Sequence, residues 1–415
     1  MAFFHKSRFF ETWYGSYAIL GAIASGLIPI LLPLWTQQHS SAANVGIVMS
    51  LFGLGQLSAP IWGEIADMLK LNRILFLMGL LVIGLSILGI TFVPTPVILG
   101  VLSLMAGLGF SLTNTLANLW IVERFPYTEV SERVGALQRT YGIGQVFGLA
   151  IASLLSATHI KIALVVTALM AFSSVSFYKI MPITAGREVI KPRRPALEKL
   201  HPKIQPFLVS ISQAYHLLHF KNLLGHLSKT TLSIIIFNIL WFIVVSASSF
   251  FFSFYPIIMK YVYKINPSVS SIIFSMAVGL SIFLYSWAGD IAEKKGNKKI
   301  LLLGISLRAI SVLGLTILGY LAVTAKTVFV ILFFTLMIFS WPIISVTGTA
   351  LASQSNLPKG AAMGLFSANN ALALSVGSLI GGIIAHMTSY NFLLASSAIL
   401  MFIGLILGAL LIKEE

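Results

Sequence analysis

The sequence predicts an all-α polytopic membrane protein of twelve transmembrane helices in two pseudo-symmetric six-helix halves, and three observations carry the prediction. The 415 residues are 57% hydrophobic and 9% charged, whereas a soluble domain carries about 25% charged residues. Apolar runs close to the ~20 residues that a helix needs to cross a bilayer recur along nearly the whole chain. A short charged stretch after the second run returns after the eighth. An outer-membrane barrel would show short alternating segments instead, and is excluded.

Taken in chain order, the predicted spans are 12–36, 42–66, 73–93, 96–121, 132–157 and 160–182, then 230–258, 267–289, 299–322, 326–350, 360–386 and 390–412. The first span follows Lys6 and Arg8 without an evident cleavage site, so it reads as a retained helix rather than a signal peptide. Residues 183–229, rich in Lys, Arg, Pro and His, cannot span and read as a cytoplasmic linker. The expected organisation is therefore an N-terminal half over 1–182, the linker over 183–229 and a C-terminal half over 230–415.

The net charge of +15 points to topology rather than to nucleic acid, because the 27 Lys and Arg are not evenly placed. With the N-terminus inside, 21 fall on cytoplasmic segments and four on external ones (Lys161, Lys260, Lys264, Lys326), while Arg139 and Arg308 lie within spans. That asymmetry puts both termini in the cytoplasm and the protein in the inner membrane as a multi-pass chain. The chain has no cysteine, which excludes disulfides, thiolate catalysis and Cys-based metal sites.

The halves read as a duplication. Gly63, Glu64, Ile65, Ala66, Asp67 and Arg73 match Gly289, Asp290, Ile291, Ala292, Glu293 and Lys299, and Gly135 and Gly148 of the fifth span match Gly364 and Gly377 of the eleventh at nearly the same offset. At these residues the chain resembles the major facilitator superfamily, which carries a G-x-x-x-D-[RK]-x-G-x-[RK]-[RK] loop after its second helix, often echoed after the eighth. The second copy fits except for Glu293 in place of Asp. The first keeps Gly63, Asp67 and Arg73 but has Met68, Lys70 and Asn72 elsewhere in the motif.

The resemblance covers essentially the whole chain. It implies alternating access, a small-molecule substrate bound at the midplane between the halves, a lipid-embedded monomer and no cofactor. It also makes Gly63, Asp67, Arg73, Gly289, Glu293 and Lys299 a conformational latch, in which a carboxylate at one helix end meets the positive N-terminus of a neighbouring helix. The competing role for the motif's lysines is to set topology alone.

For the substrate site the candidates are polar and aromatic residues on inward faces. In the fourth span Ser111, Thr115 and Asn118 share a face with Asn114 adjacent; in the fifth Gln138, Tyr141 and Gln145 share one. The seventh offers Asn238, Trp241, Ser249, Phe252 and Tyr255, and the eleventh Asn369 and Asn370. Each has interhelical hydrogen bonding as its competing role. Arg139, whose repeat counterpart is Ala368, is expected either to contact substrate and favour anions or to pair with Glu123 or Glu132. Arg308, in a peripheral helix of this fold, is expected to reach the membrane interface.

All twelve Asp and Glu lie at or beyond the cytoplasmic ends of the spans. Proton-coupled transport usually needs a buried titratable group, so the coupling ion stays open with the proton as one candidate. The drug-antiporter branch has an Arg in the fourth helix and a Gly-Pro pair in the fifth; Ser103 and the Pro-free run Gly144 to Gly148 depart from both. His216 and His219 could share a helical face, but without acidic or Cys partners the linker reads as solvated, and no metal is expected. Gly142, Gly144 and Gly148 suit close helix packing better than a phosphate cradle. The expected function is a secondary transporter, not an enzyme, for uptake or exchange of a polar metabolite, an anionic one if Arg139 contacts it. The alternatives are efflux of amphipathic compounds and, more remotely, a membrane sensor or membrane-embedded enzyme.

Overall fold

The computed structural model describes residues 11–69, 71–93, 95–125, 127–156, 159–179, 229–321, 326–353 and 359–411. The expected linker lies outside them, apart from its last residue. The described residues form helices, with no strand among them. We number them α1 (Tyr14–His39), α2 (Ala42–Gln56, resuming as Ala59–Leu69), α3 (Asn72–Phe92), α4 (Pro96–Arg124), α5 (Tyr127–Leu155) and α6 (Ile160–Ser173, ending in a 3₁₀ turn). There follow α7 (Lys229–Phe252, resuming as Tyr255–Tyr261), α8 (Pro267–Lys295), α9 (Asn297–Tyr320), α10 (Lys326–Ser353), α11 (Lys359–Met387) and α12 (Tyr390–Leu411). Ten are long and apolar enough to cross a membrane; α6 is apolar but shorter, and α5 begins with a charged stretch. Every expected span has its helix.

Helix ends differ from the predicted spans where a helix outruns its apolar stretch. α8 continues six residues past the predicted end at 289, through the charged turn to Lys295, and stops at Gly296, whose φ of 89° suits a residue without Cβ. At its other end Pro267 takes the first helical position and the Asn266 side chain accepts from the Ser268 N–H at 2.9 Å. Within α1 the stretch Ala22–Leu27 is π-helical. It precedes Pro29, which has no N–H to give to the Ser25 carbonyl.

α1–α6 pack as one set and α7–α12 as another. In the first set α1 and α5 approach backbone to backbone: a Cβ on Gly144 would strike the Ala18 carbonyl, and one on Gly148 the Ala22 carbonyl. These two glycines thus serve the close packing their spacing suggests, while Gly142 faces Ile282 of α8 instead.

The sets meet along α2–α11, α5–α8 and α1–α7. We call the end of the bundle with Glu11 and Leu411 the near end, and the end with His39 and Met387 the far end. Among the described residues, hydrogen bonds between the sets lie toward the far end: the Ser50 and Ser375 hydroxyls are 2.8 Å apart, Ser275 Oγ donates to the Val146 carbonyl at 3.0 Å, and Tyr390 Oη donates to Gln37 Oε1 at 3.0 Å. Gly46 and Gly382 touch there as well. Toward the near end a Cβ on Gly135, Gly289 or Gly364 would meet nothing within 4 Å. Among the described residues the two sets thus touch at the far end and leave open space beside these three glycines at the near end.

Arg308 departs from its expected place. It is 1% exposed, in the middle of α9, and does not extend to an interface. Its Nε donates to Ser340 Oγ at 2.9 Å, Nη1 to Ser248 Oγ at 2.8 Å and Nη2 to the Met337 carbonyl at 3.2 Å, and the guanidinium lies over the rings of Trp341 (5.1 Å) and Phe252 (5.7 Å). Hydroxyl dipoles and ring faces thus offset a desolvation cost that no carboxylate at this depth relieves.

Candidate binding site between the two helix sets

On the first set, Tyr17 of α1 organises the polar residues. Fully buried, it donates from Oη to Asn114 Oδ1 at 2.5 Å and accepts from Gln138 Nε2 at 3.3 Å. Asn118 Nδ2 donates to the Asn114 carbonyl at 2.8 Å, and the Tyr141 hydroxyl lies 2.5 Å from that of Ser25, in the π-helical turn. The rings of Tyr17 and Tyr141 are 5.3 Å apart. Asn114, Asn118, Tyr141 and Gln145 are half-buried and Gln138 is exposed. The amides therefore stand in front of a buried phenol that fixes their orientation. Four candidates, Asn114, Asn118, Gln138 and Tyr141, come together here; Gln145 is one turn further along and makes no hydrogen bond among the described residues.

Sequence reasoning missed Tyr17 and Ser25. Both lie in the apolar helix α1, and each has its partner about a hundred positions away. Two residues of the fourth-span stripe turn elsewhere: Ser111 donates to the Gln56 carbonyl at 3.2 Å, and the Thr115 side chain faces Gly63 of α2.

On the second set, Asn369 Nδ2 donates to the Asn238 carbonyl at 2.8 Å and to its Oδ1 at 3.2 Å, and Asn238 Nδ2 donates to the Ile234 carbonyl. Asn370 is half-buried beside them. Trp241 is buried among Phe366, Phe237 and Trp341, with ring centroids at 4.5, 6.1 and 6.4 Å. Tyr255 is also a core residue: it donates to the Ser270 carbonyl at 2.7 Å and stacks on Phe334. Ser249 bonds within the seam between α7 and α11.

Arg139 stands apart from the Tyr17 cluster, beside the stripe of α5 that faces α8. It is exposed, and its Nε donates to the Gly135 carbonyl at 3.2 Å. The side chains of Glu123 and Glu132, its expected alternatives, lie outside the described residues. It is Arg133 that gathers the near-end acids, with Glu129 at 2.9 Å and Glu11 at 3.4 Å; Glu11 also meets Arg124 at 3.3 Å and accepts from the Trp13 indole at 2.7 Å.

Of the latch residues, Gly63 and Arg73 are half-buried, Gly289 borders open space, and Glu293 and Lys299 are exposed. The Asp67 side chain lies outside the described residues, as do His216 and His219. No group of three metal-ligating side chains occurs among the described residues.

A family model described as "Major Facilitator Superfamily" matches residues 14–359. No curated protein matches the chain by sequence. Among solved structures, a point mutant of the nucleoside transporter NupG superposes with a TM-score of 0.78 at 14% identity, over 97% of this chain and 98% of that one. An auto-inhibited POT family peptide transporter gives 0.70 at 14% identity, over 96% and 95%. A D-xylose-proton symporter gives 0.69 at 14%, over 94% and 96%. Likeness at this level of identity speaks to the fold alone.

Proposed function

The chain belongs to the Major Facilitator Superfamily of secondary transporters, and we propose that it carries a small, uncharged polar solute across the inner membrane by alternating access. The observation that supports this reading is the cluster around Tyr17, which offers amide and hydroxyl groups and no charged side chain. On the other set, Asn238, Asn369 and Asn370 add further amides. Such groups donate and accept in equal measure, which suits hydroxyl- or amide-bearing solutes and gives a carboxylate or ammonium no counter-charge. An anionic preference depended on Arg139 joining this cluster, and Arg139 stands apart from it. That nucleosides and xylose are carried by proteins of the same fold is compatible with the reading.

In this proposal the sets α1–α6 and α7–α12 are two homologous halves, and rocking of one on the other exposes the site to each side in turn. The charge asymmetry favours the near end as cytoplasmic, with both termini there, which makes the conformation described an inward-facing one. Glu293 and Asp67 would act as latches of the opposite conformation.

A thermal-shift screen of the purified protein tests the substrate class, since a ligand that binds only the folded state raises the melting temperature. Nucleosides, pentoses and other neutral polyols should stabilise it more than carboxylates or amphipathic cations. Stabilisation by anions alone would overturn the neutral-solute reading, and stabilisation by amphipathic cations alone would favour efflux.

A further inference from the structure

α5 and α8 run antiparallel, and three contacts set their register. The Ser275 hydroxyl donates to the Val146 carbonyl at 3.0 Å; a Cβ on Gly279 would lie 3.9 Å from Val146, and one on Gly142 would lie 3.8 Å from Ile282. Two helical turns closer to the near end, this register puts Gly135 opposite Gly289. Both border open space.

Arg139 and Asp290 flank that opening. The bond from Arg139 Nε to the Gly135 carbonyl draws the guanidinium back to the level of Gly135, the direction in which helical side chains lean. Asp290 follows Gly289 and, because α8 runs the other way, leans back toward the same level. At 100° per residue, Arg139 stands about 40° off the stripe of α5 that touches α8, and Asp290 about 50° off the facing stripe of α8. Between antiparallel helices these offsets fall on the same side of the interface. Both residues are exposed, and neither belongs to an ion pair among the described residues. The matching seam between α2 and α11 lacks this combination, since Ala368 occupies the repeat position of Arg139.

We propose that Arg139 and Asp290 form an ion pair between the two helix sets when the near end closes, and that this pair sets how much of the near-end-closed conformation is populated. The proposal rests on the alternating-access reading. Both side chains are exposed beside the open space at Gly135 and Gly289 and are unpaired with one another in the present conformation, so in this proposal the pairing energy exists in one conformation only, which is the requirement for biasing an equilibrium.

The absence of cysteine makes site-directed spin labelling direct. Labels at Ile74→Cys and Lys295→Cys, both exposed near-end positions on opposite sets, report the near-end separation by pulsed electron resonance in vesicles. The otherwise unaltered protein should show a long and a short distance. Arg139→Gln and Asp290→Asn should each reduce the short-distance population about two- to five-fold, the range expected for a solvent-exposed pair. The double variant should lose no more than either single one, and the exchanged pair Arg139→Asp/Asp290→Arg should regain the short distance. Unchanged populations in both single variants, or additive losses in the double one, would overturn the pair, as would a response to Glu293→Gln with none to Asp290→Asn. A single long distance under every condition, with and without ligand, would overturn the alternating-access reading together with the pair.

Discussion

Arg308 donates from Nη1 to the Ser248 hydroxyl at 2.8 Å, and Ser248 in turn donates to the Val244 carbonyl at 2.8 Å. Ser340 repeats the arrangement, accepting from Nε and donating to the Met337 carbonyl at 2.6 Å. Each serine thus relays the cation's charge into the end of a carbonyl dipole on its own helix, and α7, α9 and α10 are joined through one guanidinium.

The asymmetry between losing a partner and losing the charge gives the first prediction. Ser248→Ala leaves a buried charged donor unpaired and should cost about 1.5–3 kcal/mol, seen as a lower melting temperature in detergent. Arg308→Met removes charge and need together, and the Ser248→Ala/Ser340→Ala protein should melt below it. Equal or reversed melting temperatures would show that the hydroxyls do not offset the charge.

Tyr17→Phe keeps the buried ring and removes the hydroxyl that orients Asn114 and Gln138. Folding should be little changed. Affinity for the ligand identified by thermal shift should fall about ten-fold, or ~1.4 kcal/mol, when measured by calorimetry. Full affinity in the variant would remove Tyr17 from the site.

Gly144 and Gly135 lie on one helix and should behave oppositely. Gly144→Leu drives a side chain into the Ala18 backbone and should cost at least the ~1–3 kcal/mol typical of overpacking, read as loss of folded protein on size exclusion. Gly135→Leu meets open space in this conformation and gains helix propensity, so the protein should fold normally. Its transport rate should drop, because the added side chain fills the gap opposite Gly289 that near-end closure must use.

At the far end Gly46→Leu should do the reverse. The side chain cannot fit against Gly382, so the conformation closed at the far end is disfavoured, and thiol labelling of a Ser50→Cys reporter should rise. Labelling equal to that of the reporter alone would mean that the seam does not hold this end shut.

The spans were legible because hydropathy is local: a run of apolar residues long enough to cross a bilayer needs no partner to be recognised. Gly144 and Gly148 were legible for a similar reason, since their spacing puts them on one helix face. Tyr17 was not, because what distinguishes it is Asn114, 97 positions away. Arg308 was misplaced on the same account: Ser248 and Ser340 come from two other helices, and ordinary serines in apolar helices announce nothing about the cation they serve. Gln138 and Asn114, singled out by face and polarity, both bond to Tyr17, whereas Tyr255, of the same polarity, lies in the core just past the helix interruption after Phe252.

The seam at the far end has a consequence for speed. Where α2 meets α11 it is built from Gly46, Ser50, Gly53, Ser375 and Gly382, residues with almost no rotamers to lose. Closing it freezes few side-chain torsions, and parting it forfeits few interlocked methyl groups. Friction along the α2–α11 contact is correspondingly low: a surface without protruding knobs can separate and re-seat without waiting for side chains to find their places.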